Sequence, residues 1–306
     1  MIDSDSSDRR AIDGLNPLRR PARTTVRYIG CMDLLVLQIN EPWQWPPETS
    51  DFLHEFLTDR SNEESDLIEA AGFAGEIVAI NDRLCDDLLV LITDASRSDE
   101  LRGMAAISLG PVLEECDLTE WDDDPLDHPP ITEETFDKIK DSLHRLYDDS
   151  KLPKQVRRRI LEASVRSEAN WHAAAVEAAY ASGDREWMLT AVFTMRYVDG
   201  FDRQILEALK NPDPEIHMEA VQAAGAQEVE GAWPHIRAIL KNRKTSEDLL
   251  FAAIESAGYI GGEEAMELLE EFSESENEDI AAAAEEALTY ANLDMDDIGE
   301  ADDEEE

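Results

Sequence analysis

Hydrophobic positions along this chain follow a helical rather than an alternating rhythm, and over the second half they repeat. A large apolar residue stands four positions before an alanine at Trp187/Ala191, Ile216/Ala220, Leu249/Ala253 and Ile280/Ala284, in steps of 29, 33 and 31 residues. Within NPDPEIHMEAVQAAGA at 211–226, Ile216, His217, Ala220, Val221, Ala223 and Ala224 share one broad arc of a helix, with Glu215, Met218, Glu219 and Gln222 opposite. An arc that wide suits a helix touching its own hairpin partner and a neighbour on either side. The alanines let those backbones come close. Between the Ala-rich helices the pattern predicts shorter ones, FDRQILEALK, AWPHIRAILKN and EEAMELLEEFSE, with turn signals at SGD, VDG, NPDP and IGG. Two helices in about 31 residues, copied along the chain, are the pattern of a solenoid.

The regular text begins at LPKQVRRRILEASVR. It predicts repeats over 151–293, after a less regular helical portion at 28–150 that holds at least one similar unit. Residues 1–27 carry six arginines (Arg9, Arg10, Arg19, Arg20, Arg23, Arg27) and no apolar period, so a disordered basic arm is expected there, able by its sign to lie on an acidic body. Residues 294–306, DMDDIGEADDEEE, hold nine acids and no base, and are expected to be a disordered acidic tail. DLTEWDDDPLDHPP at 117–130 reads as a long acidic loop.

The stretches DPEIHMEAVQAAGA, DLLFAAIESAGYIGG, LRGMAAISLG and VRRRILEAS resemble the HEAT-repeat superfamily in its short bacterial form. The resemblance covers 151–293 and 99–115, and extends weakly to 65–95. It implies an all-α fold, a right-handed α-solenoid of HEAT-like helical hairpins, four to five of them over 151–293. The family's usual Val–Arg pair at the helix start is replaced by Ile216–His217, Leu249–Leu250 and Ile280–Ala281, so a ladder of acid–arginine contacts should thin toward the C-terminus. The same resemblance implies that the second helix of each hairpin lines a concave face. That assignment gives 201–210, 231–241 and 263–273, and makes Arg237, Lys241, Glu267, Glu270 and Glu271 candidates for partner binding.

Charge narrows the partners. Of 306 residues, 71 are acidic and 27 basic, a net charge of −44 that repels phosphate backbones and anionic membranes and argues against nucleic-acid or membrane binding. Another protein, with a basic surface, is the expected partner; a generally acidic, salt-adapted composition accounts for the same numbers. Cys31, Cys85 and Cys116 form no CxxC pair and no disulfide framework, which points to a reducing cytoplasm. YIGC at 28–31 lacks the apolar segment a lipoprotein signal needs, and MDLLVLQI is too short to span a bilayer.

Two of the enzymes that the resemblance brings with it make demands this chain does not meet. The HEAT-type hydroxylase binds two irons through several His–Glu dyads, whereas of six histidines only His54–Glu55 forms one. HEAT-like DNA glycosylases need a cationic groove. HEAT-like bilin lyases carry no short motif to test. No cofactor or metal is expected. The basic cluster around Lys151, Lys154 and Arg158 reads first as a solvated helix face with an i, i+4 pair from Arg158 to Glu162, and second as a docking patch for an acidic partner or the chain's own tail. Aromatics gather between Trp171 and Phe201. There Trp187 and Phe193 are expected in the core, Arg196 is expected to cap helix carbonyls, and Trp171 with His172 start a helix and are candidates for surface binding. The expectation is a non-enzymatic scaffold or adaptor that docks another protein along the solenoid. The alternatives are a HEAT-like enzyme (bilin lyase or hydroxylase) and an acidic-tail chaperone or mimic for a basic partner.

Overall fold

The computed structural model describes residues 32–117 and 129–301, with side chains through Ala291. The arm expected at 1–27 and most of the 117–130 loop lie outside the described residues. From Leu34 onward the helices belong to one unit. Helix α1 (Leu34–Ile39) and a 3-10 turn at Pro42–Gln44 precede a hairpin of α2 (Thr49–Thr58) and α3 (Glu64–Ala74). Helix α4 (Asp82–Thr93) pairs with α5 (Asp99–Ile107), α6 (Gly110–Asp117) follows, and α7 (Glu133–Asp148) pairs with α8 (Lys154–Ser164). Then come α9 (His172–Ala181) with α10 (Arg185–Thr194), α11 (Asp202–Ala208) with α12 (Pro214–Ala226), α13 (Trp233–Leu240) with α14 (Glu247–Ile260), and α15 (Glu263–Ser273) with α16 (Glu278–Ala301). Among the described residues no element is a strand, and the fold is an all-α solenoid.

Two layers result. Helices α3, α5, α8, α10, α12, α14 and α16 stack in sequence on one another, and each leans on the helix that precedes it in its hairpin. The repeat seen in the sequence is the inner register of this stack: Ala191, Ala220, Ala253 and Ala284 are all fully buried. Alanine is what the spacing allows, and glycine where it is tightest. A Cβ built on Gly225 would stand 2.7 Å from the Ser256 Cα, and one on Gly258 would stand 2.7 Å from the Ala287 carbonyl oxygen.

Local chemistry sets the helix starts. The Asp184 carboxylate accepts from the Glu186 and Trp187 amides and the Asp213 carboxylate from Glu215, with Pro214 in the first turn of α12. Asn81, Ser98 and Thr132 do the same for α4, α5 and α7. Such caps satisfy amides that have no partner within the helix, each contributing about 1 kcal/mol.

Three expectations change. The short helices at 201–210, 231–241 and 263–273 are the first of their hairpins, not the second: α11, α13 and α15 pack mainly on the Ala-rich helix that follows. The boundary drawn at 150 falls inside the α7/α8 hairpin. At the other end α16 does not stop at 293 but runs to Ala301, since each added residue of a formed helix brings its own hydrogen bond. No helix of the described residues is long and apolar enough to cross a membrane.

Candidate functional site

The residues singled out from the sequence do not assemble into one surface. Arg158 is 6% exposed. Its Nε donates to the Thr190 Oγ1 at 2.8 Å across the α8–α10 contact, and Thr190 in turn donates to Glu162 Oε1 at 2.5 Å. The solvated-face assignment therefore fails for Arg158, because the neighbouring repeat covers it. Lys154 is exposed and paired with Asp184, the cap of α10, and with Glu186 in its first turn, while Lys151 is exposed in the turn before α8. His172 is buried at 3%, against its expected place on the surface, since α7 and Trp171 close over it. Trp171 is half-buried, stacked on His144 at 4.7 Å and tilted against Tyr147 at 5.0 Å. Burial, with Lys140 and His144 adding repulsion, lowers the His172 pKa to about 4, and its Nε2 has no hydrogen-bond partner.

Toward the C-terminus, Arg237 and Lys241 close on Glu264 of the next repeat, at 2.9 and 3.1 Å, and the Trp233 indole donates to the same carboxylate. These donors, Lys241 foremost, hold Glu264 below the usual carboxylate range. Arg237 and Lys241 thus clamp α13 to α15. Glu267, Glu270 and Glu271 are exposed on α15. Trp187 packs against the core but is half-buried, and so is Phe193. Arg196 does not cap carbonyls: its guanidinium reaches α12, where it bonds Glu219 and Gln222. His54 pairs with Asp87 at 2.6 Å, so the one His–Glu dyad of the sequence is tied to α4.

Two adjoining concave features lie instead on the stacked Ala-rich layer. A cavity of about 300 Å³ is lined by Arg196 and Tyr197 at the end of α10, Gln222 and Ala226 of α12, and Glu255, Ser256 and Tyr259 of α14. Beside it, one of about 360 Å³ is lined by Phe251, Glu255 and Tyr259 of α14 with Ala283, Glu286, Ala287 and Tyr290 of α16. Glu255 and Tyr259 belong to both, so the two make one groove across four successive repeats. Small residues hollow it out, because Ala226, Ser256, Ala283 and Ala287 leave room between longer side chains. Tyr259 and Tyr290 stack with ring centroids 5.0 Å apart, and burial, then Tyr290 and Glu255, push the Tyr259 phenol above its ordinary pKa. Burial also raises Glu219, against the pull of Arg196. None of the ten candidates from the sequence lines this groove. The signal that marks it is the repeat itself, since Glu255 to Glu286 and Tyr259 to Tyr290 are each one 31-residue step.

Residues 203–289 match the family model of HEAT repeats. This segment belongs to the HEAT-repeat superfamily. Its three HEAT hairpins, α11/α12, α13/α14 and α15/α16, carry most of the groove. Among solved structures the chain is similar to human deoxyhypusine hydroxylase in complex with glycerol, at 15% identity over 82% of this chain and 87% of that one, with a TM-score of 0.38. It is also similar to YibA of E. coli, at 15% identity over 81% and 84%, with a TM-score of 0.42. No curated protein matches the chain.

Proposed function

We propose that this chain is a non-enzymatic scaffold that docks another protein along the face formed by α10, α12, α14 and α16. One observation carries the reading: adjacent cavities share Glu255 and Tyr259 and continue from repeat to repeat, giving a ribbon of contact rather than one enclosed pocket. A ribbon suits an extended segment or a helix edge, whereas a small-molecule site encloses most of its ligand. The mixture of tyrosine and carboxylate suits a polar protein surface with aromatic anchors. A net charge of −44 favours a basic partner by long-range attraction and disfavours nucleic acid.

The test is crosslinked affinity capture from the native host at physiological salt, with three baits. Wild type is expected to enrich one protein. Ala226→Trp, which fills an exposed position of the groove, is expected to lose it, and Glu270→Gln on α15 to keep it. Enrichment that is indifferent to Ala226→Trp, or no enrichment by wild type, refutes this face as the docking surface.

A further inference from the structure

The α14–α16 half of the groove differs from the rest in charge. Its lining includes two carboxylates, Glu255 and Glu286, and no base, whereas the neighbouring half contains Arg196 already bound to Glu219. Among the described residues no cation pairs with Glu255 or Glu286. The two acids share a cavity with Phe251 and with the stacked rings of Tyr259 and Tyr290. Carboxylates flanking aromatic faces suit a cation that is itself flat and weakly hydrated. A guanidinium stacks on a ring and donates in a fork to carboxylates; a compact, strongly hydrated ammonium does the first less well and the second only as a point charge.

We propose that the α14–α16 cavity is a binding site for one arginine side chain of a basic partner segment, with Glu255 and Glu286 as its counter-ions and Tyr259 and Tyr290 as its stacking surface. The inference rests on the scaffold reading and adds the chemistry of the contact. The partner's arginine supplies positive charge to a site where the described residues place none.

The experiment uses the full chain and fluorescein-labelled peptides of glycine and serine bearing a single central arginine, lysine or glutamine, followed by fluorescence anisotropy. The arginine peptide is expected to bind about tenfold more tightly than the glutamine peptide, and more tightly than the lysine peptide. Glu286→Gln and Tyr290→Leu are each expected to weaken it by about fivefold to tenfold. Glu267→Gln on α15 is expected to change nothing. Tyr290→Leu alters no charge, so its effect separates a shaped site from the pull of a −44 surface. Equal binding of arginine and glutamine peptides, no loss in Tyr290→Leu, or the same loss in Glu267→Gln as in Glu286→Gln overturns the proposal. Were the arginine preference absent while the Ala226→Trp-sensitive partner is still captured, the arginine site would fall and the scaffold reading would stand. Loss of both would remove the scaffold reading as well.

Discussion

Gly258 should oppose its own helix propensity. Replacing a helical glycine with alanine ordinarily stabilises a protein by about 0.5–1 kcal/mol, because alanine restricts the unfolded chain and glycine does not. At Gly258 the new Cβ would stand 2.7 Å from the Ala287 carbonyl oxygen, 2.9 Å from its Cα and 3.0 Å from its Cβ. Two of those atoms are main chain of α16 and cannot turn away as the end of a flexible side chain could. Helices α14 and α16 must separate instead, and overpacking of this kind costs about 1–3 kcal/mol. Gly258→Ala is therefore expected to destabilise by about 1 kcal/mol net, the clash outweighing the propensity.

Gly72 provides the matched comparison. It stands two residues from the end of α3, as Gly258 does from the end of α14, but its added Cβ would have only the Met104 Sδ nearby, at 3.9 Å. Gly72→Ala is expected to stabilise by about 0.5–1 kcal/mol. Thermal unfolding followed by circular dichroism should show opposite shifts of about 2 °C each, with hydrogen exchange in α16 accelerated only in Gly258→Ala. If Gly258→Ala raises the melting temperature as Gly72→Ala does, the close stacking of the last two repeats is wrong.

Two further outcomes follow from buried polar groups. His172 has a folded-state pKa of about 4 against an ordinary 6.5, so the unfolded chain binds its proton first. Stability is full above pH 6.5 and falls as pH drops toward 4, by about 2 kcal/mol at pH 5. His172→Gln removes that increment, so the difference in urea midpoint between wild type and variant should shrink or change sign from pH 8 to pH 5. A constant difference refutes the assignment to His172 rather than to His217 or His235, which burial shifts in the same direction. Thr190→Val would leave Arg158 Nε and the Glu162 carboxylate each short of a buried partner, and is expected to cost about 2 kcal/mol by urea unfolding; a near-neutral result would mean the network is dispensable.

What was legible in the sequence is what repeats locally. Ala220 and Ala253 announce a buried stripe because the helical period and the solenoid period agree there, and Asp213–Pro214 announces a helix start because capping is a contact within one turn. Arg158 was not legible. Its flanking Lys154 and Glu162 make it look like one member of a solvated face, and the group that buries and satisfies it, Thr190, is 32 residues away in another repeat. His172 was missed for the same reason, its cover coming from Trp171 and α7. The groove was half legible: the 31-residue steps between Glu255 and Glu286, and between Tyr259 and Tyr290, match the stacking period. The outward side of an Ala-rich helix, however, reads as an ordinary polar surface until the stacking order is known. Taking α11, α13 and α15 as second helices then directed attention to the other layer.

The order of the ion pairs along the stack gives the groove its meaning. Each acidic repeat must lie against another acidic repeat, and cations lie at many of these junctions. Arg83 meets Asp51, Lys138 meets Asp86, Lys154 meets Asp184 and Glu186, Arg185 meets Asp213 and Glu215, Arg196 meets Glu219, and Arg237 and Lys241 meet Glu264. Many of these pairs are exposed, and each adds little stability alone. Their effect is to lower the repulsion between like-charged neighbours. As expected from Ile216–His217, Leu249–Leu250 and Ile280–Ala281, no cation of the described residues bridges α12 to α14 or α14 to α16. Arg237 and Lys241 join the last two repeats through α15 and not across the α14–α16 junction. That junction is held instead by the Gly258–Ala287 approach and the Tyr259–Tyr290 stack. A stack that bridges many of its junctions with its own cations, but lines the cavity between α14 and α16 with carboxylates and no base among the described residues, has left a position that a basic partner can complete. Binding there would tighten the last repeat as well as hold the partner.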